Sequence, residues 1–163
     1  MKIIIPYAGE FPVQAVAAVT QLSMAPTTWN VGDSDTAYFD LLSRLWSERE
    51  PFIVVEHDII VTEAAIAGLI ECPQPWCSCP YPWYNSTLTG LGCTKFDLSI
   101  MQDFPSLFDE VAKIHTDMHP AKHWCSIDGR IRQYMGQHQR NDHLHDTPVG
   151  HLLPAASHGC VIR

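Results

Sequence analysis

The sequence predicts an α/β fold: one domain with a central, mostly parallel sheet and helices on both faces. Three observations support it. Short β-branched or aromatic runs alternate with helical stretches through the first half of the chain, in the order β-α-β-α-β-α. The run Pro51-Phe-Ile-Val-Val-Glu-His-Asp-Ile-Ile60 reads as a buried strand that delivers charged residues to its end. With 163 residues, 46% of them hydrophobic and 17% charged, the chain suits a single core.

Taken in order, residues 2–5 form a short apolar strand that Pro6 should stop. Residues 12–24 have helical composition, with Val13, Val16, Ala17 and Leu22 apolar and Pro26 beyond the end. Residues 27–31 form a second strand, followed by the turn Gly32-Asp33-Ser34-Asp35. Ser34 or Asp35 can cap a helix over 36–49 whose apolar face is Tyr38, Leu41, Leu42 and Leu45. After the strand ending in Glu56-His57-Asp58, Thr62 caps a helix over 63–70. These residues, 1–71, make up the first half of the domain, and 72–163 the second.

The second half changes in texture. Residues 72–84 combine four prolines with four aromatics, which predicts ordered loop rather than repeating structure. Residues 88–96 read as a glycine-containing strand or turn. Asp103-Phe-Pro105 opens a helix with the face Leu107, Phe108, Val111 and Ile114. Ser126 caps a helix over 127–135 that Gly136 ends, and five of the nine histidines follow between 138 and 158.

Charge narrows the function classes. A net charge of -8 argues against broad capture of nucleic acid or anionic lipid, although Lys113, Lys122, Arg130, Arg132 and Arg140 leave room for a local basic site. No apolar run approaches membrane-spanning length, and the first residues read as a strand rather than a secretion signal. The expectation is a cytosolic protein without a membrane partner, its six cysteines reduced.

Glu56-His57-Asp58 is the strongest candidate for chemistry. Ligands of open α/β sheets bind outside the carboxyl ends of strands. Two acids there are costly unless a cation, a partner charge or solvent compensates them. A divalent metal carrying a diphosphate is one such partner. The plainer reading is that Asp58 alone matters, capping the next turn. His143-Leu-His145, with His151 beyond, could join Asp58 in a mixed N/O site, or could simply be solvated.

The remaining motifs are weaker. Cys72-x4-Cys77-x-Cys79 contains no C-x2-C pair, which favours small buried groups over zinc ligands. Trp76, Tyr81, Trp83 and Tyr84 can stack on sugars or bases, or cover a sheet edge. Gly90 and Gly92 permit a close backbone approach to a ligand without forming a phosphate loop. Asp128, in the first turn of its helix, is explained by the dipole alone or by a role as general base.

The order of these features resembles a small glycosyltransferase of the GT-A type, with Glu56-His57-Asp58 in place of the usual Asp-x-Asp. The strongest likeness is to short, often virus-encoded members. It rests on Ile5-Pro6-Tyr7, Asp33-Ser-Asp35, the segment from Gly90 to Phe96, Trp124-x3-Asp128 and the late histidines. The resemblance implies a Rossmann-like domain that transfers a sugar from a nucleotide-sugar donor, a UDP-sugar first among them, to an unidentified acceptor. Pro6, Tyr7, Ala8 and Asp33 would hold the nucleoside, with Tyr38, Glu56 and His57 beside it. Asp58 would bind the metal, Mn²⁺ ahead of Mg²⁺, and His151 or else His145 would complete its shell. Asp128 would be the base of an inverting enzyme, Glu56 would meet sugar, ribose or metal-bound water, and Trp83 and Tyr84 would shape the acceptor side. The extra methylene of Glu56 shifts its carboxylate by about 1.5 Å relative to an aspartate. The short chain leaves little for an acceptor subdomain, so a homo-oligomer, a partner protein or a very open acceptor site is expected. Two other functions compete: a small metal-dependent hydrolase using Asp58 and the late histidines, and a non-catalytic module that binds a nucleotide sugar or glycan.

Overall fold

Alternation of side chains along the central strands decides the layering. In the computed structural model, which describes residues 1–83, 86–88, 90–114, 120 and 122–152, Phe52 and Val54 face one core while Ile53 and Val55 face another. All four are at most 1% exposed, so this strand meets no water on either face.

The elements run β1 (Lys2–Tyr7), α1 (Val13–Val19), β2 (Thr27–Asn30), α2 (Ala37–Glu48), β3 (Phe52–Val55), β4 (Ile59–Ile60) and α3 (Glu63–Glu71). Then follow β5 (Trp76–Ser78), β6 (Tyr81–Trp83), β7 (Ser86–Leu88), β8 (Cys93–Phe96), α4 (Leu98–Asp103) and α5 (Leu107–Val111). A 3-10 turn (Trp124–Ser126) leads into α6 (Ile127–Gln137), and the short strands β9 (His143–Leu144) and β10 (Gly150–His151) come last. The main sheet has the order β2-β1-β3-β8-β5-β9. Its pairs are parallel except for those of β8, which runs antiparallel to both β3 and β5.

Helices cover both faces, as the alternating pattern predicts. One core packs α2, α4, α5 and α6 against Ile4, Phe52, Val54 and Phe96. The other joins Val19 of α1 and Ala65, Ile66 and Leu69 of α3 to Ile3, Ile5, Ile53 and Val55. Tyr38, Leu41, Leu42 and Leu45 are buried as expected, and Phe39 and Trp46 widen that face. Among the described residues no helix is long and apolar enough to cross a membrane.

Several boundaries differ from the sequence reading, each for a local reason. Pro6 does not stop β1, because pairing with β3 ends at Ile4↔Val54 while pairing with β2 continues to Tyr7↔Asn30. The missing N–H therefore forfeits no ladder bond on the β3 side. Helix α1 ends early at Thr20, whose hydroxyl donates to Ala17 O at 2.9 Å. Thr36, not Ser34 or Asp35, precedes α2, and its hydroxyl donates to Asp40 rather than accepting a capping bond. The proline-rich segment contains β5, a buried interior strand, because Pro73, Pro75 and Pro80 lie outside its three residues. The helix expected after Asp103 begins only at Leu107, and α4, too short to show a period, precedes it. Cys125 is disulfide-bonded, against the expectation that all six cysteines are reduced, while Cys72, Cys77, Cys79 and Cys93 are free.

Helix α3 starts where Thr62 Oγ1 accepts a hydrogen bond from Ala65 N at 3.2 Å. Replacing Thr62 by Ala should cost about 1 kcal/mol in chemical denaturation, and by Ser only a few tenths. Equal losses for both would show that the hydroxyl does not hold the helix start.

Candidate functional site

Because β1, β2 and β3 are parallel, their carboxyl ends (Tyr7, Asn30 and Val55) share one edge of the sheet. The chain leaves β3 in a tight turn: Glu56 N donates to Gly92 O at 2.8 Å, and Ile59 N returns to Glu56 O at 3.0 Å. His57 takes the middle of that turn and is half-buried. Glu56 follows four fully buried residues, and Tyr38 Oη of α2 donates to its Oε1 at 2.9 Å. Burial, then the charges of Asp58 and Asp128, pushes the Glu56 carboxyl up to about 8. The same burial and the Glu56 charge hold the Tyr38 phenol well above its ordinary range.

Asp58 is fixed from the far end of the described chain. β10 pairs antiparallel with β4, setting His151 opposite Ile59, and Leu152 N donates to Asp58 O at 2.8 Å. His151 Nε2 then lies 3.3 Å from Asp58 Oδ2, and its ring stacks on Tyr81 at a centroid distance of 5.2 Å. The other carboxylate oxygen, Asp58 Oδ1, is buried and accepts no hydrogen bond from the described residues. A buried anionic oxygen without a donor is expensive unless another partner, such as a cation or water, compensates it.

Asp128 arrives on the opposite core. It sits in the first turn of α6, where Gly129 N donates to its Oδ1 at 2.8 Å. Burial raises its pKa, while the Gly129 N–H and the Arg132 guanidinium pull it back. Arg132, one turn further along α6, is itself clamped by Asp142 through two bonds of 3.0 and 2.6 Å. The β7–β8 connection closes over this carboxylate. The Thr94 hydroxyl donates to Gly90 O at 2.6 Å. A β-carbon on Gly90 would lie 2.7 Å from Tyr81 Oη and 3.0 Å from Asp128 Oδ2; on Gly92 it would lie 2.7 Å from Tyr81 Cε1. The two glycines thus make room for Tyr81 and Asp128 of the protein itself.

Glu56, Asp58, Asp128, Tyr38 and His151 therefore share one neighbourhood. Pro6, Tyr7 and Ala8 lie along the same edge; Tyr7 stacks on Phe11, and Ala8 packs within 3.4 Å of where a Gly32 β-carbon would stand. Asp33 is exposed on the turn immediately after Gly32. His145 does not join them but lies against Gly68 of α3. Tyr84 and the side chain of Trp83 lie outside the described residues. The sequence offers Arg132 only as part of a local basic site and Tyr81 only as a stacking or covering aromatic; their placement beside Asp128 comes from the fold.

No family model matches this sequence, and no curated protein does either. Solved structures do share the fold. One is a glycosyltransferase involved in the glycosylation of the major capsid of PBCV-1, with a TM-score of 0.55 and 11% identity over 96% of this chain and 95% of that one. Another is A197 from STIV, with a TM-score of 0.56 and 9% identity over 88% and 81%. A third is a CMP:2-keto-3-deoxy-manno-octonic acid synthetase complexed with CTP, with a TM-score of 0.51 and 11% identity over 91% and 89%. The expected GT-A-like architecture is thus the observed one.

The acid cluster has a consequence for stability. Folded Glu56 keeps its proton up to about pH 8, whereas an unfolded glutamate releases it near 4.5. The folded state binds more protons across that window, so stability should fall as pH rises through it. Glu56→Gln retains an acceptor for Tyr38 and removes the titration. Its melting temperature should vary less with pH, and at pH ~8 it should be the more stable protein by on the order of 1–3 kcal/mol. A wild-type melting temperature that is flat over the window would refute the burial of this carboxyl.

Proposed function

We propose that this protein is a metal-dependent glycosyltransferase that uses a nucleotide-sugar donor, a UDP-sugar in the first instance. The single observation that supports it most is the buried, unpartnered Asp58 Oδ1 beside His151 at the carboxyl edge of the parallel strands. The fold shared with a glycosyltransferase and with a synthetase complexed with CTP points the same way. On this reading residues 1–71 form the nucleotide-binding half, and 72–163 complete the metal and acceptor side.

Asp58 and His151 would hold a divalent cation, Mn²⁺ or Mg²⁺, which would offset the charge growing on the leaving diphosphate. Tyr7, Ala8 and Asp33 would line the nucleoside. Glu56, held by Tyr38, would bond a sugar or ribose hydroxyl, donating while protonated and accepting once a cation draws its proton away. If the reaction inverts, Asp128 accepts the acceptor hydroxyl's proton as its oxygen bonds the anomeric carbon. The bond from that carbon to the diphosphate breaks in the same event. Burial raises the Asp128 pKa, which makes it a better base than an exposed aspartate. Arg132, held to Asp142, favours its ionised form.

The likeness to the CTP-complexed synthetase favours one second reading, nucleotidyl transfer to a free sugar. It would use the same acidic edge but require a nucleoside triphosphate.

Calorimetric titration of UDP, GDP and CTP into chelator-treated protein, with and without Mn²⁺, separates these readings. The expected result is UDP binding that needs Mn²⁺ and is lost in Asp58→Asn. Preference for CTP would favour the synthetase-like reaction, and UDP binding that survives Asp58→Asn would overturn the metal assignment. Once a donor is identified, Asp128→Asn should lower kcat roughly 10²–10⁴-fold with donor affinity nearly unchanged. An active Asp128→Asn would remove it from the base role.

A further inference from the structure

A second constellation lies on the α3 face of the sheet, away from the acidic edge. Strand pairing aligns Ile53 of β3, Lys95 of β8, Cys77 of β5 and His143 of β9 in one row across four strands. Cys72, at the carboxyl end of α3, is tied there by its N–H to Gly68 O and drops onto that row. His143 Nδ1 consequently lies 3.3 Å from Cys77 Sγ and 3.5 Å from Cys72 Sγ. The three ligand atoms all fall within 4.8 Å of one another.

We propose that Cys72, Cys77 and His143 form a zinc site of the thiolate–imidazole class. Zinc bonds of about 2.3 Å to sulfur and 2.0–2.1 Å to nitrogen, at tetrahedral angles, place sulfur and nitrogen ~3.5 Å apart and two sulfurs ~3.8 Å apart. The two sulfur–nitrogen edges already have that length. The donor set is soft, as zinc prefers, and lacks the carboxylates that suit Mg²⁺. Two thiolates neutralise the ion, and each thiol gives up its proton to solvent on binding. The buried Lys95 ammonium does not oppose this charge balance, because Asp97 Oδ2 lies 3.1 Å from it and the Cys72 carbonyl accepts its hydrogen bond.

A groove of about 220 Å³ lined by Gly68, Glu71, Cys72, Pro73, His143 and His145 adjoins these ligands and leaves the fourth position open to solvent. A β-carbon on Gly68 would come within 2.7 Å of His145 Nε2, so only glycine lets this imidazole sit there. His145 Nδ1 accepts from Thr147 N at 3.2 Å, and this imidazole lines the groove without being one of the three converging ligands. Sequence spacing hides the site, because its histidine is brought in by strand pairing some seventy residues away. Its role is to clamp the edge strand β9 and the end of α3 to β5.

Co²⁺ is the probe for the reduced, chelator-treated full chain, since its tetrahedral thiolate complexes carry intense visible bands and a thiolate-to-cobalt charge-transfer band. One equivalent should produce both, and Zn²⁺ should displace it. Cys77→Ala should abolish the charge-transfer band. His143→Ala, at an exposed position that folding tolerates, should weaken cobalt binding by at least the 10–100-fold that loss of a supporting partner costs. Asp58→Asn should leave the band unchanged, and Zn²⁺ should raise the melting temperature of wild type but not of Cys77→Ala. Absence of the charge-transfer band in folded wild type would overturn the proposal and leave a thiol–imidazole hydrogen-bonded cluster. So would a band that survives both Cys77→Ala and His143→Ala.

Discussion

Complete burial of β3 on both faces is the constraint from which the rest of the molecule follows. β3 is apolar along its whole length between the two cores, whereas the buried Thr94 and Lys95 of β8 are held by hydrogen bonds and an ion pair, so the first charge of β3's chain appears where both cores end. Glu56 stands at that point, one residue beyond Val55. Tyr38 from one helix layer donates a hydrogen bond to it, while Asp58 and Asp128 crowd it with like charge. Packing and polarity are therefore two sides of one arrangement: the tighter the cores, the more strongly the edge concentrates acids.

The second organising element is the chain after α6. It runs from β9 on the sheet's edge, through His145 N to Ser78 O and Val149 N to Pro80 O, and ends in β10 against β4. Each of these pairings is short, yet together they bring His143 to Cys72 and Cys77 and His151 to Asp58. Two different donor chemistries, thiol–imidazole and carboxylate–imidazole, are thus completed by one segment of about ten residues.

How much of this the sequence reveals depends on the range of the interaction concerned. Local signals expose three helices: α2 by a buried stripe of Tyr38, Leu41, Leu42 and Leu45 at helical spacing, and α3 and α6 by Thr62 and Ser126 just before them. The strand end at Glu56-His57-Asp58 is legible for the same reason, as a continuous apolar run broken by charge. β5 is not, since proline density masks a three-residue strand whose burial comes wholly from neighbours distant in sequence. The antiparallel direction of β8 is equally silent. His151 and His145 look interchangeable in one dimension; only the β10–β4 register separates them. The cysteine cluster is the extreme case, since the spacing argument that disfavours it considers neighbours along the chain and not across the sheet.

The two-residue strand β10 has a temporal meaning as well as a spatial one. Ribosomal synthesis runs from the amino end, so β1, α2, β3 and α3 can pack while residues 143–151 are still unmade. During that interval Asp58 lacks its imidazole, Cys72 and Cys77 lack theirs, and the acidic edge lies open to solvent. Solvated carboxylates are cheap to hold there, whereas the finished pocket is not. The scaffold can thus form while the acidic edge is still hydrated, and β10 closes that edge after these elements have packed.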